Sequence, residues 1–319
     1  MVHIRDYDPT VDGPGLLELW HRALSSGNTG PIWPLSSTWF NAISLDPRER
    51  QDHLLAEVDG QLIGFGLVQV NRNTPHHGSL LALAVHPNYR RLGVGRRLHD
   101  AALDRLRACG VQQVQLGAGA VNYFWPGVPV DLPSAWAFFQ ALGWTKAEHS
   151  FDLTRSLDDY QTPAWVWERL RGLGLDLVYA DKAGLEKEAI DFVSVEYPGW
   201  AIYFVQAIGE GRARDVLLAR RSGSAEILGV CLVESQDQRW DQRLPQPVGA
   251  PGCFLTAEAA RNRGIGMALA ALATETLQAR GCRTSFIGWT WLVDWYGKLG
   301  YKIWQEYIMS WMDLNEKER

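Results

Sequence analysis

Apolar residues recur three or four positions apart in residues 95–108. The positions concerned are Leu98, Ala102, Leu103 and Leu106. This spacing predicts an amphipathic helix, and Gly110 follows it where a helix commonly ends on a left-handed glycine. The apolar run 80–85 before it is typical of a buried strand. The pattern therefore predicts a strand, a turn and a helix in succession.

Two further apolar runs flank the dipeptide Asp59-Gly60. Residues 54–58 and 63–70 have strand character, and Asp-Gly suits the tight reversed turn of a β-hairpin. This part of the chain therefore predicts a hairpin. The other elements expected in the first half are a strand at 2–7, a helix at 15–23 and an alternating strand at 111–116.

The same landmarks return later in the chain at one constant offset, since Arg261 lies 171 positions (261 − 90) after Arg90. The same offset relates Gly93 to Gly264, Gly95 to Gly266, Leu98 to Leu269, Gly110 to Gly281 and Gly117 to Gly288. Gly143-Trp144 then matches Gly300-Tyr301 at an offset of 157 (300 − 143). The chain is therefore an internal duplication whose first copy carries 14 extra residues (171 − 157).

The second copy predicts the same order of elements. They are a strand at 175–179, a helix at 185–195, a hairpin at 216–234, a strand ending at Thr256, a helix at 266–279 and a strand at 283–287. We expect domains at 1–155 and 175–319, joined by a connector at 156–174 with a short helix at 165–170. The fold class is α+β with layered sheets: each domain has a mixed, mostly antiparallel sheet flanked by helices, and neither is doubly wound.

The composition narrows the function further. The 319 residues carry a formal net charge of −5 with both signs interspersed, so we expect neither nucleic acid nor membrane as a partner. The four cysteines, Cys109, Cys231, Cys253 and Cys282, have no metal-ligand spacing and are expected to be buried thiols. The N-terminal residues lack the apolar run of a signal peptide. We expect a cytoplasmic monomer or homodimer.

In each copy an apolar strand leads into a basic, glycine-rich turn that opens a helix. The first N–H groups of that helix have no partner within it, the helix dipole favours an anion, and glycines allow a phosphate to approach the backbone. The arginines that add local positive charge are Arg90, Arg91, Arg96, Arg97, Arg261 and Arg263. A single such turn is explained equally well by a helix entry with solvated arginines. A P-loop and a dinucleotide fingerprint both fit poorly, because the Gly-Lys-Ser/Thr and the third glycine are missing.

Residues 85–98, VHPNYRRLGVGRRL, resemble the CoA-binding motif of the GNAT superfamily of N-acetyltransferases. Residues 256–269, TAEAARNRGIGMAL, resemble the same motif with Glu258 in place of the proline. The segments 138–144 and 295–301 resemble the closing segment of the family, so the chain is similar to tandem members with two GNAT domains. The resemblance implies acetyl-CoA as co-substrate, no metal, and direct attack of an amine on the thioester.

Carried over by position, the resemblance implies a CoA site in each copy. In the first copy it is formed by Leu83, Ala84, Val85, Arg90, Arg91, Leu92, Gly93, Val94, Gly95 and Arg96. In the second copy it is formed by Phe254, Leu255, Thr256, Arg261, Asn262, Arg263, Gly264, Ile265, Gly266 and Met267.

The resemblance also implies a tyrosine that protonates the departing thiolate, and Tyr296 occupies its position in the second copy. The first copy has Phe139 there, and a phenyl ring has no proton to donate. We therefore expect catalysis in the second copy. A packed aromatic whose hydroxyl bonds to the backbone is the alternative for Tyr296. The general base stays open between Glu234 and Glu196, each of which a plain surface charge explains at least as well.

The extra segment of the first copy, 123–133, is rich in aromatic residues and proline. We expect an ordered loop that narrows the first cleft, or one that packs on the other domain. The sequence thus favours an acyl-CoA N-acyltransferase that acetylates a small-molecule amine. The alternative is a CoA or acyl-CoA sensor or scaffold with a degenerate acceptor site. The acceptor itself is not identified by the sequence.

Overall fold

The computed structural model describes residues 1–25, 33–44, 50–71, 74–117, 124–145, 147–237 and 242–315. Packing divides the chain into two compact units built from separated stretches. Unit 1 comprises Met1–Phe151, Arg239–Arg243 and Gln305–Arg319, and unit 2 comprises Asp152–Gln238 and Leu244–Trp304. The domain boundaries expected from the repeat, 1–155 and 175–319 with a connector at 156–174, stay a prediction.

Seven strands of the described residues form the first sheet, in the order β1-β3-β4-β5-β6-β15, with β2 paired to β4. They are β1 (His3–Asp6), β2 (Arg50–Gln51), β3 (Leu54–Val58), β4 (Gln61–Val70), β5 (His77–Val85), β6 (Gln113–Leu116) and β15 (Trp311–Asp313). Only β5 and β6 run parallel among these pairs. The helices of this part are α1 (Gly13–Ala23), α2 (Ser37–Ser44), α3 (Val94–Ala108) and α4 (Pro133–Gln140).

The second sheet has eight strands in the described parts of the chain, in the order β7-β14-β8-β13-β12-β11-β10-β9. They are β7 (Val128–Pro129), β8 (Glu148–Ser156), β9 (Leu175–Tyr179), β10 (Val216–Arg221), β11 (Ile227–Asp237), β12 (Val248–Thr256), β13 (Thr284–Thr290) and β14 (Lys302–Met309). The helices are α5 (Ala164–Glu168), α6 (Ala180–Ala183), α7 (Glu186–Glu196), α8 (Ala201–Gly209), α9 (Ile265–Ala279) and α10 (Val293–Gly297). Here β12 and β13 are parallel.

Local sequence explains most of these elements. Pro14 lies in the first turn of α1, where its missing N–H costs nothing. Asp59 and Gly60 both have positive φ, 52° and 76°, as the tight reversed turn between β3 and β4 requires. Gly110 has φ 81° directly after α3. The predicted hairpins and long helices are therefore confirmed, with ends shifted by up to three residues.

Each long helix packs its apolar face on a sheet. Leu98, Ala102 and Leu106 of α3 are fully buried in a cluster with strand residues such as Val68 and Val114. In the second unit a cluster joins α7 and α8 to β10 and β11. The fold class expected from the sequence, two α+β domains with mixed sheets flanked by helices, is confirmed. None of the helices in the described ranges is both long and apolar enough to cross a membrane.

Candidate functional site

The two glycine-rich turns have the same backbone. Arg91 and Asn262 adopt φ 62° and 64°, and Gly93 and Gly264 adopt φ 82° and 93°. Each turn follows a short 3-10 helix and opens a 15-residue helix, α3 or α9, which has no side-chain cap. The N–H groups at the start of these helices therefore stay available to an anion in both copies.

The first arginine of each turn braces the backbone. The Arg90 Nε–H donates to the Val85 carbonyl at 3.0 Å, and the Arg261 Nε–H donates to the Thr256 carbonyl at 3.2 Å. Both carbonyls belong to the last residue of the strand before the turn. These arginines thus tie the strand end to the turn, a role that sequence reasoning missed when it counted them only as positive charge.

The strands that lead into the turns diverge from their parallel neighbours. The register of β5 with β6 ends at Leu80 and Leu116, and the register of β12 with β13 ends at Gly249 and Ser285. The divergent parts, 81–85 and 250–256, contain the residues predicted to line a CoA arm. In the second copy both strands continue past this register, so a cleft opens between β12 and β13 and ends at the glycine turn, whereas β6 itself ends at Leu116.

The closing segments return to the turns at equivalent positions. A Cβ added to Gly95 would lie 3.3 Å from Phe138, and one added to Gly266 would lie 3.6 Å from Trp295. Phe138 and Trp295 are related by the offset of 157 (295 − 138) found in the sequence. The repeat therefore places an aromatic ring beside the second glycine of each turn.

The Tyr296 side chain lies in the second copy, against the divergent part of β12. Its ring centroid is 6.0 Å from that of Phe254 and 4.6 Å from that of Trp295, and the residue is only 6% exposed. Burial is the largest cause that raises the pKa of Tyr296 above its ordinary value. The hydroxyl is therefore neutral and carries a proton at physiological pH.

Tyr301, five residues later, has a different environment. Its hydroxyl is within 2.9 Å of Thr274 Oγ1 and 2.7 Å of Ser285 Oγ, all in the interior of the unit. In the first copy the equivalent Trp144 donates its indole N–H to His99 Nε2 at 3.0 Å. This position thus links the closing segment to the long helix in both copies, and its role is structural.

In the first copy an aromatic cluster covers the end of the parallel register of β5. Trp125 donates its indole N–H to the Leu81 carbonyl at 2.8 Å, at the first β5 residue beyond the parallel register. The ring packs against Trp20, Trp33 and Phe124 with centroids 5.3, 5.1 and 4.4 Å away. The segment 124–133 therefore covers the end of the parallel register of β5 through Trp125 and pairs with β14 through Val128 and Pro129. Tyr123 lies outside the described residues.

The two candidate bases lie in different places. Glu234 is opposite Ala250, the first divergent residue of β12, and its Oε1 is 3.6 Å from Nη1 of Arg212. Glu196 ends α7 and lines a groove of about 310 Å³ together with Arg263. Glu234 thus lies on β11, on the side of β12 away from β13, so the identity of the base stays a prediction. Among the described residues, no group of three or more His, Cys, Asp or Glu could hold a metal ion.

Half of the cysteines depart from the expectation of buried thiols. Cys231 and Cys282 are buried, whereas Cys109 and Cys253 are partly exposed. Cys253 also has φ 53° within the divergent part of β12, at an irregularity in its pairing with β11.

Comparison with known proteins identifies the fold and the family of one segment. Residues 16–144 match the model of the acetyltransferase (GNAT) family. A mycothiol acetyltransferase of Sanguibacter keddieii is 33% identical over 126 residues, which cover 36% of this chain and 38% of the relative.

Solved structures match over nearly the whole chain. A GCN5-related glucosamine N-acetyltransferase region of a fungal multidomain GH3 β-N-acetylglucosaminidase has a TM-score of 0.86 at 27% identity, covering 98% of this chain and 38% of that protein. A tandem GNAT protein of the clavulanic acid pathway has a TM-score of 0.68 at 15% identity, with 100% of both chains covered. A GCN5-related N-acetyltransferase from Sphaerobacter thermophilus has a TM-score of 0.70 at 18% identity, covering 98% of this chain and 96% of that one.

The last two matches show the fold alone, because their identities are low. This chain spans 38% of the length of the Sanguibacter relative and of the fungal protein. Residues 16–144 therefore match the acetyltransferase (GNAT) family, and the chain as a whole has the fold of tandem GNAT proteins.

Proposed function

We propose that the chain transfers an acetyl group from acetyl-CoA to the amine of a small-molecule acceptor, and that the second copy performs the transfer. One asymmetry carries this proposal. The second cleft has the Tyr296 hydroxyl group beside Phe254, whereas the first has Phe139 at the matching position and Trp125 bonded to the Leu81 carbonyl. Only one of the two clefts thus combines an acid with a divergent strand that is not closed by the extra segment.

The residues of the second copy fit acetyl-CoA in two respects. The uncapped N-terminus of α9, at Ile265, Gly266 and Met267, suits the pyrophosphate. The divergent strand 250–256 offers backbone groups to the amide-containing pantetheine arm. Acetyl-CoA supplies the activated thioester, and the acceptor amine forms the new C–N bond as the C–S bond breaks.

Tyr296 would supply the proton that the departing sulfur requires. Its hydroxyl is neutral because burial raises its pKa, so it donates rather than accepts a proton at the start of the reaction. The amine gives its proton to a base, for which Glu234 and Glu196 are the candidates. A backbone N–H of the divergent strand would stabilise negative charge on the carbonyl oxygen.

The proposed acceptor class rests on the substrate of one similar structure. The fungal region with a TM-score of 0.86 is described as a glucosamine N-acetyltransferase, so we propose an amino sugar or a conjugate of one as acceptor. Trp291, which follows β13 at the mouth of the second cleft, is 66% exposed and offers a flat apolar face to such a ring.

The test is an assay of thiol release from acetyl-CoA with a panel of amines that includes glucosamine. We expect release with an amino sugar, and a loss of about 100-fold in kcat in Tyr296→Phe, as general acid catalysis commonly contributes. Phe139→Leu in the first copy is the matched control and should keep full turnover. No release with any amine would contradict an enzymatic role, and full turnover by Tyr296→Phe would contradict the assignment of the acid.

A CoA-binding scaffold is the second candidate, and the filled first cleft favours it for that copy. The first turn has the same backbone as the second, so it would hold the nucleotide end of CoA without an acceptor beside it. Calorimetric titration should then show two CoA molecules per chain. A stoichiometry of one CoA per chain, with the same affinity in Tyr296→Phe, would limit CoA binding to one copy.

A further inference from the structure

Arg169, in the connector directly after α5, lies on the second glycine turn. Its Nη2–H donates to the Asn262 carbonyl at 2.8 Å. A Cβ added to Gly264 would lie 2.8 Å from Cδ and 3.2 Å from Nε of this arginine. The arginine stem therefore packs on the glycine that precedes α9, and its guanidinium is fixed beside the turn.

This contact is a property of the second copy alone. A Cβ added to Gly93, the matching glycine of the first turn, would meet no atom of the described residues within 4 Å. The glycine at 264 is thus required both by its φ of 93° and by the side chain seated on it. The repeat in the sequence does not reveal this difference, because Arg169 lies outside the duplicated motif.

The guanidinium of Arg169 has N–H donors left for a ligand. A guanidinium carries five N–H donors, and the Asn262 carbonyl engages one of its nitrogens. Within the described ranges no carboxylate forms an ion pair with Arg169. The residue is also exposed, so its charge faces solvent beside the glycine that precedes α9.

We propose that Arg169 binds the pyrophosphate of CoA in the second copy, as a ligand contributed by the connector. The inference rests on the proposed function, since it assumes CoA at this turn. The backbone N–H groups of α9 approach the phosphates along the helix axis, and the planar guanidinium adds charge-assisted hydrogen bonds from the side. The arginine therefore increases the affinity for acetyl-CoA but makes no contact with the reacting carbonyl.

The test is steady-state kinetics of Arg169→Gln with acetyl-CoA and the best amine of the panel. We expect the KM for acetyl-CoA to rise roughly 10-fold, as loss of one charged hydrogen bond implies, while kcat and the KM for the amine stay unchanged. Arg169→Lys should recover part of the affinity, because it keeps the charge without the planar donors. Arg283→Gln removes the same charge from a different exposed site of unit 2 and should behave as wild type.

A second measurement identifies the phosphate concerned. Equilibrium binding of CoA and of 3′-dephospho-CoA should weaken by the same factor in Arg169→Gln if the pyrophosphate is the partner. A loss confined to CoA would place the arginine on the 3′-phosphate and overturn the proposal, as would wild-type affinity in Arg169→Gln. If wild-type protein neither binds CoA nor releases thiol, the proposed function fails instead.

Discussion

Tyr296 and Tyr301 permit a sharp test, because the same loss of one hydroxyl should have opposite effects at the two positions. In Tyr301→Phe, Ser285 loses the bond of 2.7 Å and Thr274 loses the bond of 2.9 Å. Thr274 keeps its bond to the Ala270 carbonyl, so the loss falls mainly on the fully buried Ser285. A buried polar group without its partner costs about 1–3 kcal/mol.

We therefore expect Tyr301→Phe to lower the free energy of unfolding by about 2 kcal/mol, which for a unit of this size is a fall of roughly 4–8 °C in melting temperature. Its kcat, measured well below the transition, should match wild type. Tyr296→Phe should show the reverse pattern, with a near wild-type melting temperature and a depressed kcat. Urea unfolding followed by circular dichroism, together with the thiol-release assay, measures both quantities. Equal losses of kcat in the two variants would refute the division of roles.

The pH dependence of this effect has a defined sign. Burial is the largest cause that raises the pKa of Tyr301 above its ordinary value of 10.0. The unfolded chain therefore ionises first, and the contribution of Tyr301 to stability is complete below pH 10 and declines above it. The stability gap between wild type and Tyr301→Phe should be constant from pH 7 to about pH 9.5 and narrow beyond about pH 10. A gap that widens above pH 10 would contradict the burial argument.

Three further predictions concern other buried groups. Burial lowers the pKa of His99 below its ordinary 6.5, so on acidification the unfolded chain gains a proton first and the free energy of unfolding should fall as the pH drops below 6.5. His99→Gln should reduce this dependence of the free energy of unfolding on pH, as measured by urea unfolding at several pH values. An unchanged dependence would count against the argument. Trp125→Phe keeps a ring but loses the hydrogen bond to the Leu81 carbonyl, so the free energy of unfolding should fall by about 1–3 kcal/mol without a change in turnover. A fall in kcat would assign the first copy a part in the reaction. Burial raises the pKa of Cys231, so iodoacetamide should label Cys253 and spare Cys231, as peptide mass spectrometry would show; the reverse order would contradict the described exposures.

Periodicity and turn chemistry predicted the elements that are local in sequence. The hairpin at Asp59-Gly60 and helices α3 and α9 depend on residues within one or two turns of one another, so their patterns were sufficient. The offset of 157 also predicted that residues 138–144 and 295–301 correspond, and the structure places Phe138 and Trp295 at equivalent positions. These parts of the candidate site could be inferred before any coordinates.

The rest depends on long-range packing. The sequence predicted that the extra segment of the first copy is ordered, but only the structure shows Trp125 bonded to the Leu81 carbonyl. The contact of Arg169 with Gly264 joins residues 95 positions apart (264 − 169), and no spacing rule marks it. Helix α8 was not predicted, because its residues are apolar nearly throughout and periodicity does not distinguish a helix from a strand in such a run.

The pairing of β15 with β6 bears on how the chain folds as it leaves the ribosome. Gln113 of β6 is hydrogen-bonded to Asp313 of β15, 200 positions later. Until those last residues emerge, the edge of β6 has no neighbour on that side, and an unpaired strand edge invites association with other chains. The first sheet thus begins early in the chain and gains β15 only after residues 311–313 have been made. Its completion should be slow, because it requires a loop closure of very long range, and a chain truncated before residue 311 would leave this edge of the sheet open.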